Sequence, residues 1–346
     1  MGAGFANPST LISARLLLSS REPQCAPEDV AALVCSRLDA ALALRKELYN
    51  QSYYRLVHAE GDFLPGLVVD RYGDVLIIQI ATAGMESLSK VICDHLANIT
   101  GCSTIHLAND LSARDLEQLD RTERTALGTL PKSLKVVENG CKFKVDAREG
   151  QKTGWFYDHR DNRKLAASMA KGKRVLDVFC YTGGWSVAAA VAGAESVTCV
   201  DSSEAAMRWL QANANDNGVS EKITPITNDA IEALKALHVS EEQFDLVILD
   251  PPAFIKRKKD YAKGAQHYEL LNRLACRLLN KGGTLMSASC SQALSGDELL
   301  EIMRRSGARR GLETQVLHAL SQGPDHPAMA GVPETQYLKG WVARLH

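Results

Sequence analysis

From Lys171 onward, short apolar runs rich in β-branched residues alternate with longer segments of helical periodicity. The runs are "RVLDVFC", "SVTCVD", "KITPITND", "FDLVILD" and "GGTLMSASC". Helix-like stretches lie between and after them, at 184–193, 204–216, 229–238, 262–280 and 296–307. No other feature constrains the fold as strongly, because this alternation builds a parallel sheet covered by helices on both faces. Ligands of such sheets bind beyond the carboxyl ends of the strands, near the point where strand order reverses. Asp177, Asp201, Asp229, Asp250 and Cys290 all fall at those ends. One acid after a strand ordinarily caps the next helix. Five functional side chains on one rim point to a cleft.

Upstream the texture differs. Residues 27–49 read as a helix, with Pro27 suited to its first position and Glu28 and Asp29 to its first turn. The runs "YYRLVHAE", "GLVVDRY" and "VLIIQIA" read as strands, followed by a helix-like segment at 85–98 and then "STIHLAND". "SLKVVE" and "CKFKVDA", joined by Asn139-Gly140, read as a hairpin, since Asn-Gly tolerates the positive φ of a tight turn. These elements suggest a small α+β domain over roughly 51–150. The division that follows is 1–20, a connecting helix within 21–50, the small domain with its exit segment over 51–165, and the sheet domain over 166–346.

The 346 residues suffice for two such domains. Lys and Arg number 40 against 41 Asp and Glu, so no global basic field advertises nucleic acid, although a local basic groove stays open. The nine cysteines show no C-x-x-C pair, and the first residues lack the basic-then-apolar layout of a secretory signal. Reduced thiols in a cytoplasmic protein are the expectation. No window reaches the ~18 uninterrupted apolar residues of a membrane span. The histidines form no H-x-x-H or H-x-E pattern, so no metal is inferred.

The first strand of the sheet leads into "DVFCYTGGWSVAAA". Gly183 and Gly184 let backbone pass close to a ligand, with helix N–H groups beyond. Neither a P-loop nor G-x-G-x-x-G is present. Asp201 suits the two hydroxyls of a ribose, with an N-cap as the competing role that Ser202 or Ser203 could share. Asn228 and Asp229 could meet an adenine edge, again with capping as the rival. Together these features point to an adenosine cofactor such as S-adenosylmethionine. "ILDPPAF" is more specific: two successive prolines stiffen the loop that carries Asp250 and Phe254. A rigid acid and a ring suit a flat heterocycle, which needs an edge partner and a stacking face. Cys290 lies past the end of its apolar run, between two serines, whereas Cys180 and Cys199 sit in or near strands and read as core. Lys256, Arg257, Lys258 and Lys259 follow the proline loop. They form either a solvated face or a phosphate contact beside a site.

Taken together, "GQKTGWFYDHRDNR" (150–163), "VLDVFCYTGGWS", "LDPPAF" and "SASCS" resemble the ribosomal RNA large subunit methyltransferase I family. Members of that family use S-adenosylmethionine to make 5-methylcytosine. The resemblance runs from about residue 51 and includes "DHPA" and "YLKGWVARL". It implies a class I methyltransferase domain, α/β with a mostly parallel seven-stranded sheet, preceded by a small α+β domain that contacts RNA. A final antiparallel strand near 337–345 is implied as well. Gln151, Lys152, Thr153, Tyr157, Arg160 and Asp161 would belong to a segment that closes over the cofactor. Asp177, with Tyr181, Thr182, Gly183 and Gly184, would hold its methionine end. Asp201 and Ser202 would take the ribose, and Asn228 and Asp229 the adenine, with Asp250 and Pro251 bordering the same site. Cys290 would be the nucleophile and Asp250 the catalytic acid. Pro252, Phe254 and the basic run 256–259 would meet the substrate, with large-subunit ribosomal RNA and a homodimer as the expected partners. Family members usually begin with a PUA barrel. Here "GFANPSTLISARLLL" (4–18) is similar to that domain's closing segment, a remnant at 1–20 that as a single strand builds no barrel. Either the start lies upstream or the protein works without that RNA clamp.

The implied chemistry follows from cytosine, whose C5 is too poor a nucleophile to take a methyl unaided. A thiolate adding to C6 makes C5 carbanion-like, and an acid at N3 supports the addition. The base must leave its stack to reach the pocket. Methylation at guanine N7 needs no such cysteine. That activity, a small-molecule methyltransferase and a non-catalytic RNA-binding assembly factor are the alternatives.

Overall fold

The computed structural model describes residues 3–18, 30–148, 153–255 and 257–346. Two compact units divide the chain. The first comprises Met1–Val137, Val145–Tyr157 and Gly323–Gln336; the second comprises Glu138–Lys144, Asp158–Gln322 and Tyr337–His346.

The first unit opens with β1 (Ala3–Ala6) and β2 (Ala14–Leu18), which pair antiparallel. The N-terminal segment is therefore two strands, where one was expected, and it forms no barrel of its own among the described residues. Asn7 and Arg15 both bind Glu117, and Phe5 covers Gly84, where a Cβ would meet the Phe5 ring at 2.1 Å. Then come α1 (Val30–Leu48), β3 (Tyr53–His58), β4 (Leu67–Tyr72), β5 (Val75–Ile80), α2 (Ala83–Ser87), α3 (Ser89–Thr100), β6 (Thr104–Ala108), α4 (Ser112–Asp115) and β7 (Glu123–Leu127). The helix expected over 85–98 breaks at Leu88 into α2 and α3. The strands form one sheet in the order β3-β4-β5-β6-β7, parallel only between β5 and β6, where the two helices make the crossover. Val34 and Leu38 of α1 and Ile92 and Leu96 of α3 share a core with Leu56, Val69 and Ile78 of the sheet. Arg45, fully buried on α1, grips both oxygens of Asp62 and donates to the Asp325 carbonyl at 2.8 Å. The Asp325 carboxylate accepts from the Arg55 backbone at 3.0 Å. These bonds anchor residues 323–336 in the first unit.

The hairpin of β8 (Ser133–Glu138) and β9 (Cys141–Asp146) turns through Asn139 (φ 51°) and Gly140 (φ 82°), the left-handed pair that Asn-Gly promises. Its tip counts with the second unit, where Asn213 binds both backbone groups of Lys144.

The second unit contains α5 (Arg160–Met169), β10 (Arg174–Val178), α6 (Gly184–Val191), β11 (Ser196–Asp201), α7 (Glu204–Asp216), β12 (Ile223–Thr227), α8 (Ala230–Val239) and β13 (Phe244–Leu249). It continues with α9 (Tyr261–Arg277), β14 (Leu279–Ser289), α10 (Gly296–Ala308), β15 (Thr314–Ser321) and β16 (Lys339–Leu345). The sheet order is β12-β11-β10-β13-β14-β16-β15. The first five strands are parallel, and β16 runs antiparallel to both neighbours. Strand order reverses between β10 and β13, which puts the cleft at their carboxyl ends. Pro225 sits on the edge strand β12, where a missing N–H costs no ladder bond.

Candidate active site at the carboxyl end of the second sheet

Asp177 lies one residue before the end of β10 and is completely buried. One carboxyl oxygen accepts from the Ser186 hydroxyl on α6, and the other has no side-chain partner among the described residues. Burial, reinforced by the nearby charges of Asp250 and Asp201 and opposed by the Ser186 hydrogen bond, pushes its pKa up to about 7. The turn that follows is left-handed at three of five residues: Phe179 (φ 67°), Tyr181 (φ 49°) and Gly183 (φ 88°). A Cβ on Gly183 would also strike Leu210 at 2.2 Å, so glycine is required there on two counts. Non-glycine residues in this conformation cost about 1–3 kcal/mol each and concentrate where a ligand is gripped. Gly184 then begins α6 without a side-chain cap, and the Thr182 hydroxyl is buried without a partner.

Asp201 ends β11 and holds this turn. One of its oxygens accepts from the Tyr181 N–H and the other from the Ser203 N–H, both at 2.9 Å. Ser203, not Asp201, caps α7 by accepting from the Ala206 N–H at 3.2 Å. Each Asp201 oxygen keeps a lone pair for a hydroxyl. Ser202 is exposed beside it. At the end of β12 the capping role holds for Asp229, one of whose oxygens accepts from the Ile231 and Glu232 N–H groups. Asn228 is exposed, with its side-chain carbonyl on the Asp229 N–H at 2.8 Å.

Asp250 follows β13. His159 Nε2 lies 3.1 Å from one oxygen, and Trp185 Nε1 donates to the other at 3.1 Å. The Asn162 amide nitrogen holds the ring from its other nitrogen: it donates to the Ser321 carbonyl at 2.9 Å and lies 3.1 Å from His159 Nδ1. Burial alone would raise the Asp250 pKa, but His159 and Trp185 outweigh it and hold the carboxyl below its ordinary range. The residue expected to act as an acid is therefore ionised at neutral pH. Pro251 is buried, Pro252 exposed, and the Phe254 ring packs edge-on against Tyr268 (5.1 Å) and Phe179 (6.3 Å).

Past the end of β14, alternation sorts the side chains. Ser289 and Ser291 are buried and meet at the Tyr268 hydroxyl on α9, at 2.9 and 3.0 Å. Cys290, between them, is half-buried. The Ile255 N–H donates to the Ser291 hydroxyl at 3.2 Å and stitches the proline loop to the cysteine turn. Cys180 and Cys199 are buried, as core cysteines should be.

Other expected residues are placed differently. Gln151, Lys152 and Lys256 lie outside the described residues. Thr153 and Tyr157 belong to the first unit, buried against β4: the Thr153 hydroxyl binds Asp70, and the Tyr157 hydroxyl donates to the Arg71 carbonyl at 2.9 Å. Arg160 is buried 3.7 Å from Glu138, which also pairs with Arg163, and Asp161 is exposed. Arg257, Lys258 and Lys259 are exposed just before α9 and pair with no described carboxylate. Among the described residues no cluster of His, Cys, Asp or Glu could hold a metal ion. Neither His159 nor Trp185 carries a spacing signal that links it to Asp250, although both lie inside "GQKTGWFYDHRDNR" and "VLDVFCYTGGWS".

The rim suits a cofactor with a cation and paired hydroxyls. Among the described residues a buried carboxyl oxygen and a buried hydroxyl await side-chain partners, Asp201 has lone pairs to spare, and the glycine turn leaves no room for a side chain. S-adenosylmethionine has these groups.

Residues 118–338 match the family model for S-adenosylmethionine-dependent methyltransferase. Ribosomal RNA large subunit methyltransferase I from Aeromonas hydrophila is 38% identical over 294 residues, 84% of this chain and 74% of that protein. The protein of the same name from Erwinia tasmaniensis is 36% identical over 314 residues, 89% and 79% of the two chains. Among solved structures, one from Streptococcus mutans described as a SAM-dependent methyltransferase has a TM-score of 0.82 at 20% identity, covering 96% of this chain and 85% of its own. A methyltransferase with the same figures was solved in complex with SAH. The chain thus belongs to the S-adenosylmethionine-dependent methyltransferases and, within them, to the family of ribosomal RNA large subunit methyltransferase I.

Proposed function

We propose that this methyltransferase acts on large-subunit ribosomal RNA, as its relatives' name states of them, and makes 5-methylcytosine through a covalent adduct to Cys290. The observation that carries this reading is the half-buried thiol just past the end of β14, between two buried serines held at the Tyr268 hydroxyl. Bound S-adenosylmethionine supplies the methyl that C5 takes up, with Asp177 and the 181–184 turn at its methionine end, Asp201 at its ribose and Asp229 at its adenine. Cys290 forms the S–C6 bond, which moves the C5–C6 π pair onto C5 while N3 takes a proton from water, a proton it returns to water when the thiolate later leaves. Loss of the C5 proton to a base then restores the double bond and expels the thiolate. As an anion, Asp250 accepts from the N4 amine and from N3–H once that proton has arrived, so it steadies the adduct and does not supply its proton. Arg160 and Asp161, at the start of α5, belong in this reading to the segment that closes over the cofactor.

The first unit and the basic run after the proline loop are the RNA-contacting parts in this reading. A cytoplasmic setting goes with a ribosomal substrate, and no described helix is long and apolar enough to cross a membrane. A homodimer is the further partner, supported by β15, an uncharged edge strand that leaves Val316 and Leu317 42% and 45% exposed. Mapping 5-methylcytosine in ribosomal RNA from cells with and without the gene tests the activity. One cytosine should lose its methyl and regain it on complementation. A lost 7-methylguanine would favour the guanine reading, and no change in the RNA would point to a small-molecule substrate.

A further inference from the structure

Lys339 opens β16 and lies opposite Ser289 in the β14–β16 pairing. It is half-buried, and its Nζ donates to the Ser291 carbonyl at 2.7 Å. That carbonyl belongs to the residue directly after Cys290, so the ammonium is tied to the turn that carries the thiol. Lys339 pairs with no carboxylate among the described residues. Burial pushes its pKa below the ordinary lysine range, and the charge that pulls it back up is that of Cys290. A half-desolvated cation that pairs with no described carboxylate is costly unless an anion meets it, and the proximity favours the charged form of both groups.

We propose that Lys339 is a positioning residue that holds Cys290 as a thiolate, ready to attack. The idea rests on the reading of Cys290 as nucleophile and adds how the thiol becomes reactive. Its proton leaves for solvent before the base arrives, and Lys339 keeps its own proton throughout. Other titratable groups on elements around this turn include Tyr268, His267 and Arg273 of α9, Asp250 after β13, and Glu298 and Arg305 of α10. Tyr268 is pushed up by burial and stays neutral, Glu298 is engaged by Ser295 and Tyr261, and the Asp250 anion opposes a thiolate. Lys339 is the cation tied to the cysteine turn itself, through the Ser291 carbonyl.

The test is the pH dependence of Cys290 alkylation by iodoacetamide, read peptide by peptide by mass spectrometry. Lys339→Met should move the midpoint up by about one unit or more, the scale of an opposite charge at short range, while Lys339→Arg stays near wild type. An unmoved midpoint in the Met variant overturns the proposal. Wild-type protein gives an arm that needs no variant to fold: the native midpoint should lie below that of the urea-unfolded chain, and an equal or higher one overturns the proposal as well. Alkylation does not depend on turnover. If Cys290→Ala still methylates, the nucleophile reading fails while the shift still reports on Lys339; an inactive Cys290→Ala with no shift removes Lys339 alone.

Discussion

Asp177 combines a buried oxygen, without a side-chain partner among the described residues, with a pKa of about 7, so in the protein alone it is about half protonated at neutral pH. The unfolded chain releases this proton near pH 4, and the native state keeps it until about 7. Stability from this group is therefore full below about pH 4, falls as pH rises to 7, and is constant above. A cationic amine beside the carboxyl favours its ionised form. Cofactor binding should thus release a proton and tighten as pH rises towards 7, and calorimetry in buffers of different ionisation heat measures that release. Binding without proton release would place the amine elsewhere. Asp201→Ala should weaken cofactor binding about tenfold or more, given roughly 1.5–3 kcal/mol for a charge-assisted hydrogen bond, and unchanged affinity in a folded variant would remove Asp201 from the site. At this scale, sequence could name Asp201 but could not say whether it or a serine capped α7. That depended on Ser203 reaching the Ala206 N–H. His159 was hidden for a similar reason, since its partner Asp250 is ninety-one positions away and no spacing rule links them.

The elements that were legible were those buried on both faces, such as β10, β11 and β13, whose apolar runs read directly, and the helices between them with one apolar side. β7 and β15 were not, because most of their side chains are exposed and leave no alternation to read. α5 was missed because its buried face is polar: Arg160, Asn162 and Arg163 turn inward, with Glu138 as the ion-pair partner of both arginines. Residues 257–259 pose a question at this scale, since their exposure suits both a solvated turn and a phosphate-binding one. Replacing the run 256–259 with alanine should weaken RNA binding and flatten its salt dependence, by about 0.7 in log–log slope for each single-strand phosphate left without its cation. Cofactor affinity should be unchanged. An unaltered slope would return the run to solvent.

At the scale of the whole chain, strand–helix alternation predicts the second sheet but not the return of residues 323–336 to the first unit. That return is made by bonds from Arg45 and Arg55 to Asp325, between residues 270 and more positions apart, which no local pattern announces. β16 came from family likeness, because its antiparallel placement beside β14 breaks the alternation that predicts everything before it. What the two units serve in the proposed mechanism is a single covalent event at Cys290. The most direct measurement pairs RNA carrying 5-fluorocytosine at the target with the wild-type protein and with Cys290→Ala. Fluorine blocks the loss from C5 that frees the thiol, so wild-type protein, Cys180→Ala and Cys199→Ala should each form a denaturant-resistant complex. Cys290→Ala should form none and methylate nothing, while binding cofactor normally. Methylation by Cys290→Ala at a comparable rate would contradict the covalent mechanism.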